Sequence, residues 1–318
     1  LKTFFAIGLV LLSNFLFAQR EDLHAHYTYN LMAVNPAYAG LENQLSVTLL
    51  HRSQWAVFPG APRLQTASVH APFGRNVGLG FSFAREQIGP EQNIAIKGDY
   101  SFTIRSEEKV KIVFGLKAAL NMLYINLIDL ELDDPDDPSF LNNKQSILLP
   151  NFGVGIIAYT KDYYFGFSIP DLIVHNYLNN TIYSSSHLWI SSKHYYFIGG
   201  AALPLSHKLL LKPSGYFRFS RSTQENKFIE IEAEIGIMAE YNSSFHGGFS
   251  VRTENKVAAF LGLKIVPDLD LGYSFDLFYF NKLQKYNGGS HEIVLKYDLY
   301  IKQRKRPIPC PTFQLQYH

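Results

Sequence analysis

The stretch from Lys227 to Tyr241, KFIEIEAEIGIMAEY, alternates almost without interruption. Ile229, Ile231, Ala233, Ile235, Ile237, Ala239 and Tyr241 take one set of alternate positions. Glu230, Glu232, Glu234, Gly236, Met238 and Glu240 take the other. Successive side chains leave a strand on opposite faces, so the pattern prescribes a long β-strand with one apolar face and one face carrying carboxylates. An apolar face of that length must be covered, by a second layer of protein or by lipid.

Other segments follow the same rule. Val77, Leu79, Phe81 and Phe83 interleave with small residues, and Val110, Ile112, Phe114, Leu116, Ala118 and Leu120 interleave partly with lysines. Leu269 to Leu277 and Ile293 to Ile301 alternate likewise. Collected by alternation, about fourteen strands are predicted. Their cores lie near 44–51, 64–71, 76–84, 93–105, 109–121, 149–159, 162–168, 194–203, 207–219, 227–241, 244–252, 256–266, 268–279 and 289–301.

The connections between them fall into two classes. Tight ones lie at 72–75, 106–108, 160–161, 204–206, 242–243 and 267; longer ones lie at 51–63, 85–92, 122–148, 169–193, 220–226 and 280–288. Only the turn at Thr253 to Asn255 breaks the sequence of lengths. Short turns at one end and long loops at the other are the mark of an outer-membrane barrel, whose long loops are extracellular. The expected fold class is therefore all-β: a transmembrane outer-membrane β-barrel of about fourteen antiparallel strands, with short periplasmic turns. Glu230, Glu232, Glu234 and Glu240 would then point into the lumen, near Lys97, Lys109, Lys111 and Lys117 if closure brings them together. A soluble two-layer sheet exposing its carboxylates to water is the competing reading.

Composition narrows the function. The chain holds 25 Phe and 20 Tyr but only 2 Trp, and it has no internal run of apolar residues long enough for a spanning helix. A formal charge of +2 gives no case for nucleic-acid binding. Lys2 followed by the apolar stretch to Phe17, with Ala18 before Gln19, reads as a signal peptide over 1–18. One cysteine, Cys310, rules out an intramolecular disulfide framework. Enzyme signatures such as HExxH, GxSxG or a phosphate-binding glycine loop are missing, so no catalytic residue, cofactor or metal site is expected. Glu86, Glu91 and the acidic run at Asp133, Asp134, Asp136 and Asp137 read as solvated loops, since calcium-loop spacing is lacking. His24 and His26 lack an evident third ligand.

Several motifs are shared with a known family. YNLMAVNPAYAG (Tyr29 to Gly40), HRSQWAVFPGAP (His51 to Pro62) and NVGLGFSFAREQIGP (Asn76 to Pro90) occur in order, with GSHEIVLKYDL (Gly289 to Leu299) and Cys310-Pro311 at the far end. Together they resemble the PorP/SprF family of outer-membrane proteins associated with type IX secretion and gliding motility. The resemblance implies a barrel that helps a specific cargo adhesin reach or stay at the cell surface. It would do so by contacts with that cargo and with periplasmic or outer-membrane secretion components. A passive outer-membrane channel or hydrophobic-solute transporter is the alternative, and an outer-membrane hydrolase a distant third. The tail after Cys310-Pro311 departs from the shorter aromatic end common in the family.

The expected organisation is a signal peptide (1–18), an N-terminal periplasmic or plug-like segment (19–43), the barrel (44–301) and a periplasmic tail (302–318). Asn35, Pro36, Ala37 and Gly40 belong either to a segment folded into the barrel or to a simple strand-entry turn. Arg52, Gln54 and Trp55 lie at the end of the first strand, and Gly60, Ala61 and Pro62 close the loop after it; Trp55 suits the membrane interface, and Arg52 and Gln54 either join that girdle or meet a partner or lipid headgroup. Glu86, Gln87 and Gly89 are placed in the second outer loop, and His291 and Glu292 in the last strand. Lys302, Arg304, Lys305 and Arg306 form a basic flank suited to an acidic partner or anionic lipid headgroups. Cys310 and Pro311 follow it, the cysteine a quiet thiol.

Overall fold

The computed structural model describes residues 29–42, 44–104, 110–126, 144–175, 193–221, 229–253, 256–278 and 288–300. The strands are β1 (Leu45–Ser53), β2 (Arg63–Phe73), β3 (Val77–Ile88), β4 (Glu91–Ile104), β5 (Lys111–Asn126), β6 (Lys144–Tyr159), β7 (Tyr163–Ile169) and β8 (Lys193–Ala201). They continue with β9 (Leu203–Pro204), β10 (Leu209–Arg221), β11 (Ile229–Tyr241), β12 (Phe245–Arg252), β13 (Lys256–Val266), β14 (Leu269–Phe278) and β15 (Ser290–Leu299). Every pairing is antiparallel, and the two-residue β9 continues β8 alongside β10. Among the described residues fifteen strands thus make fourteen staves. The sheet closes where β1 pairs β15, from Leu45 opposite Leu299 to Ser53 opposite His291. Closure leaves no open sheet edge for lipid to meet, as a bilayer requires.

The alternation sorts side chains as the sequence predicts. On β3 and β5, Leu79, Phe81, Phe83, Ile112, Phe114 and Leu116 are exposed on the outer wall, and the residues between them face the lumen. Ile231, Ile235 and Ile237 of β11 face outward, while Glu232, Glu234 and Glu240 are buried inside. The protein's hydrophobic core is inside the barrel. It consists of Leu31, Met32, Val34, Ala37, Tyr38, Ala39 and Leu41 of the N-terminal segment, packed on wall residues such as Val113, Ile157, Tyr164 and Ile198.

Two differences from the sequence reading have physical causes. The loop expected at 85–92 is strand almost throughout: β3 runs to Ile88 and β4 begins at Glu91, leaving a turn at Gly89-Pro90. Glu86 and Gln87 are therefore ladder residues, paired with Asn93 and Gln92. Above the lipid belt both faces of a hairpin are polar, so apolar alternation vanishes while backbone pairing continues. The lumen carboxylates also do not seek the lysines of β4 and β5. They pair with basic residues on the strands flanking β11, as described below. Lys109, the Glu230 side chain, residues 1–28, the acidic run at 133–137 and the tail 302–318 lie outside the described residues.

Candidate functional site

Residues 29–42 lie within the half of the lumen nearest the short turns. Two 3-10 turns, Leu31–Ala33 and Pro36–Tyr38, fold the segment into a compact coil. From Tyr29, whose hydroxyl meets His246 of β12, it crosses to β5, where the Lys117 ammonium donates to Met32 O at 3.2 Å and Ala33 O at 3.0 Å. Ser168 of β7 donates to Val34 O at 2.9 Å, and Ser101 of β4 donates to Ala39 O at 2.6 Å. Backbone groups far from water are thereby satisfied by side chains of the wall.

Asn35 holds the centre of this coil. Its Nδ2 donates to Ile156 O of β6 and Phe167 O of β7, both at 3.2 Å, and its Oδ1 accepts from Ala37 N at 3.0 Å. Pro36 follows at the first position of its turn, where a missing N–H does no harm. Gly40 takes φ +65 and donates its N–H to His70 Nδ1 at 3.3 Å. The wall beneath is shaved to backbone. A Cβ on Gly78 would fall on Ala39 O, one on Gly115 on Ala37 N, and one on Gly155 on Asn35 Oδ1, each well inside contact distance. Glycine at these inward positions lets the coil seat directly on the sheet.

Charged groups bind the coil to the barrel and fill the other half of the lumen. Lys296 of β15 donates to both oxygens of Glu42 at 2.8 Å, and Ser46 and Tyr38 donate to the same carboxylate at 2.6 and 2.8 Å. Nearer the loops, Arg52 of β1 reaches across two strands, to Glu292 of β15 at 3.1 Å and Asp276 of β14 at 2.7 Å. Glu232 accepts from Tyr216 and Arg218 of β10, and Arg252 of β12 donates to Glu234. Arg218 and Arg252 stand directly opposite Glu232 and Glu234 in register, so the ladder makes the pairs. Lys212 meets Glu240 at 2.7 Å. A polar cavity of about 50 Å³ remains beside Tyr29, Lys212 and Lys296. Among the described residues no three His, Cys, Asp or Glu side chains gather as a metal site.

At the loop end, stretches far apart in sequence interlock. Gln54 N donates to Pro62 O at 2.9 Å and closes the base of the 54–62 loop, and Ala61 N donates to Phe58 O at 3.2 Å. Gly89 N donates to Gly60 O at 2.8 Å, fixing this loop to the β3–β4 turn. Ala56 N donates to Gly289 O at 3.3 Å, fixing it to the start of β15. Trp55, Gly60, Gly89, Gly288 and Gly289 all have positive φ, a geometry that favours glycine and sets the loop's path. His291 faces outward and bonds Tyr273 Oη through Nδ1 at 2.7 Å.

These motif regions coincide with a known family. A model of the family described as type IX secretion system membrane protein PorP/SprF matches residues 16–297. The chain belongs to the PorP/SprF family. A comparison with curated protein sequences finds no match. Among solved structures, the chain is similar to the Pseudomonas putida toluene transporter TodX, at 10% identity and TM-score 0.48, over 86% of this chain and 94% of that one. It is also similar to a Pseudomonas aeruginosa FadL homologue, at 12% identity and TM-score 0.43, over 80% and 89%. The NanC porin matches at 8% identity and TM-score 0.42, over 81% and 100%. This PorP/SprF protein is thus a type IX secretion membrane protein with an outer-membrane barrel.

Asn35, Pro36, Ala37 and Gly40 are in the lumen coil, and Gln54, Gly60, Ala61, Pro62 and Gly89 are in the rim. Arg52 and Glu292 are not surface contacts: both are buried and paired with one another inside. Lys302, Arg304, Lys305, Arg306, Cys310 and Pro311 fall outside the described residues. Glu42, Lys296 and the inward glycines carry no expectation from sequence, while Lys117, expected near the carboxylates of β11, instead bonds the coil at Met32 O and Ala33 O. Alternate-position glycines inside strands, as in VGLGF and FGVGI, are the signal that marks a close backbone approach.

Proposed function

We propose that this protein is a plugged barrel that assists type IX secretion by contact rather than by conduction. In this reading it engages one exported surface adhesin at its loop end and secretion components at its turn end, promoting export or surface attachment of that cargo. The observation that carries the reading is the fit of residues 29–42 to the glycine-lined wall. A lumen built around its own segment leaves the two rims as the surfaces available to partners. The alternative, a passive channel for hydrophobic solutes, requires that coil to leave a bed on which it is bonded at many points.

Tagged purification from native outer membranes in mild detergent, read by mass spectrometry, tests the proposal. A stoichiometric surface protein or periplasmic secretion component is the expected result, together with near-silent planar-bilayer recordings. A barrel that purifies alone under several detergents and conducts steadily would replace it with the channel reading.

A further inference from the structure

The outer wall is apolar along most of its height, but on β1, β2 and β3 it changes character toward the loops. Outward positions read Leu49, His51 and Ser53 on β1, Ala67, Gln65 and Arg63 on β2, and Phe83, Arg85 and Gln87 on β3. His51, Gln65, Arg63, Arg85 and Gln87 are all exposed. Register makes them one patch: Gln65 pairs with His51 on one side and Arg85 on the other, and Arg63 pairs with Gln87. Arg63 is therefore the diagonal neighbour of both His51 and Arg85, at separations of about 7–8 Å that long side chains span.

The surroundings of the patch place it against the bilayer. Apolar outward residues continue on both flanks, with Ile293 directly opposite His51 and Ile94 directly opposite Arg85. The patch is thus a polar bay cut into the upper edge of a lipid-facing wall, where the headgroups of the outer leaflet replace hydrocarbon. Its charge is unbalanced. The outward positions of β15 and of β1 to β4 carry no Asp or Glu, and Glu86 and Glu91 face the lumen instead. Arg85 donates to Gln92 Oε1 at 3.2 Å, and among the described residues neither Arg63 nor Arg85 meets a carboxylate. Guanidinium groups this close oppose one another unless an anion lies between them.

We propose that Arg63 and Arg85, with His51 beside them, bind a phosphate group of an outer-leaflet glycolipid. The planar forks of two arginines match phosphate oxygens, and Gln65 and Gln87 supply donors and acceptors for the adjoining sugar. The acyl chains of the same molecule descend over Leu49 and Phe83, both exposed below the bay. A soluble phosphate would make the first contact and lack the second, so the lipid is the occupant that the whole surface fits.

The test uses the full-length protein in detergent and native mass spectrometry with three probes: phosphorylated lipid A, the same lipid dephosphorylated, and inorganic phosphate. Phosphorylated lipid A should stay bound, its dephosphorylated form should bind roughly tenfold more weakly, and inorganic phosphate should not displace the lipid. Arg63→Gln combined with Arg85→Gln should remove the discrimination between the two lipids. Lys161→Gln combined with Lys208→Gln takes away equal charge at the turn end and should change nothing. Heat-modifiable gel migration checks that each variant is a folded barrel. Equal retention of both lipids by wild type, retention of neither, displacement by inorganic phosphate, or discrimination that survives the arginine pair would overturn the assignment. So would an equal loss in the lysine pair, which would reduce the effect to net charge. In cells, a photo-crosslinker in place of Gln65 should label glycolipid, a readout that needs neither arginine variant to fold. Labelling of protein alone would assign the patch to a protein partner and overturn the lipid site.

Discussion

The ammonium of Lys296 lies 2.8 Å from each carboxylate oxygen of Glu42, a residue 254 positions earlier in the chain. Both side chains are buried, and the pair fastens the lumen coil to the strand beside the barrel's closing seam. Removing one partner leaves an unmatched charge in a site closed to water. Lys296→Met is expected to destabilise the barrel by about 3–5 kcal/mol. Denaturant unfolding in detergent, followed by gel migration, measures the change. The double variant Lys296→Met with Glu42→Gln should recover part of the loss, because no bare carboxylate remains.

The glycine bed makes a sharper prediction. Gly115→Val places side-chain atoms where the backbone of Ala37 runs. The coil should lift from the wall while the sheet persists. Bilayer recordings should then show conductance above wild type, and protease should cut within 29–42. Gly98→Val is the control, since no atom lies within 4 Å of the position its Cβ would take.

How much of this was legible beforehand follows from which physics leaves a trace in sequence. Strands were readable because lipid on one side and lumen on the other force a two-residue period, as Ile231 to Glu240 shows. The upper parts of β3 and β4 were not, because Arg85, Glu86 and Gln87 are polar on both faces. The coil at 29–42 has no period to read, since its residues pack on all sides. Its family motif drew notice, but its partners are set by register across many strands. Arg52 illustrates the gap: alternation along β1 sets it on the lumen face, but only the antiparallel pairing of β1, β15 and β14 brings it onto Glu292 and Asp276.

That three-strand tie supports another test. Arg52→Ala leaves Glu292 and Asp276 buried without their guanidinium, and a loss of about 3–5 kcal/mol is expected. Arg52→Lys should recover only part of it, because a single ammonium does not reproduce the fork that reaches both carboxylates. Thermal unfolding of the three proteins in one detergent gives the comparison.

The outer wall predicts a depth profile. Leu116, near the middle of β5's apolar row, is exposed to the bilayer. Leu116→Arg should destabilise the barrel by about 2–4 kcal/mol, and Leu299→Arg, at the turn-end edge of β15, by about 0–1 kcal/mol. Equal effects measured in lipid bilayers would contradict the placement of the belt.

The seam between β1 and β15 joins the two ends of the barrel sequence, so it is among the last pairings open to the growing sheet. Glu42 adjoins the first strand and Lys296 lies in the last. A chain whose coil is still outside when the ends meet would shut with Lys296 facing an empty interior and with the bed unfilled. The strand that completes the ring therefore also carries the cation that receives the coil's carboxylate, so seam and contents share one fastening.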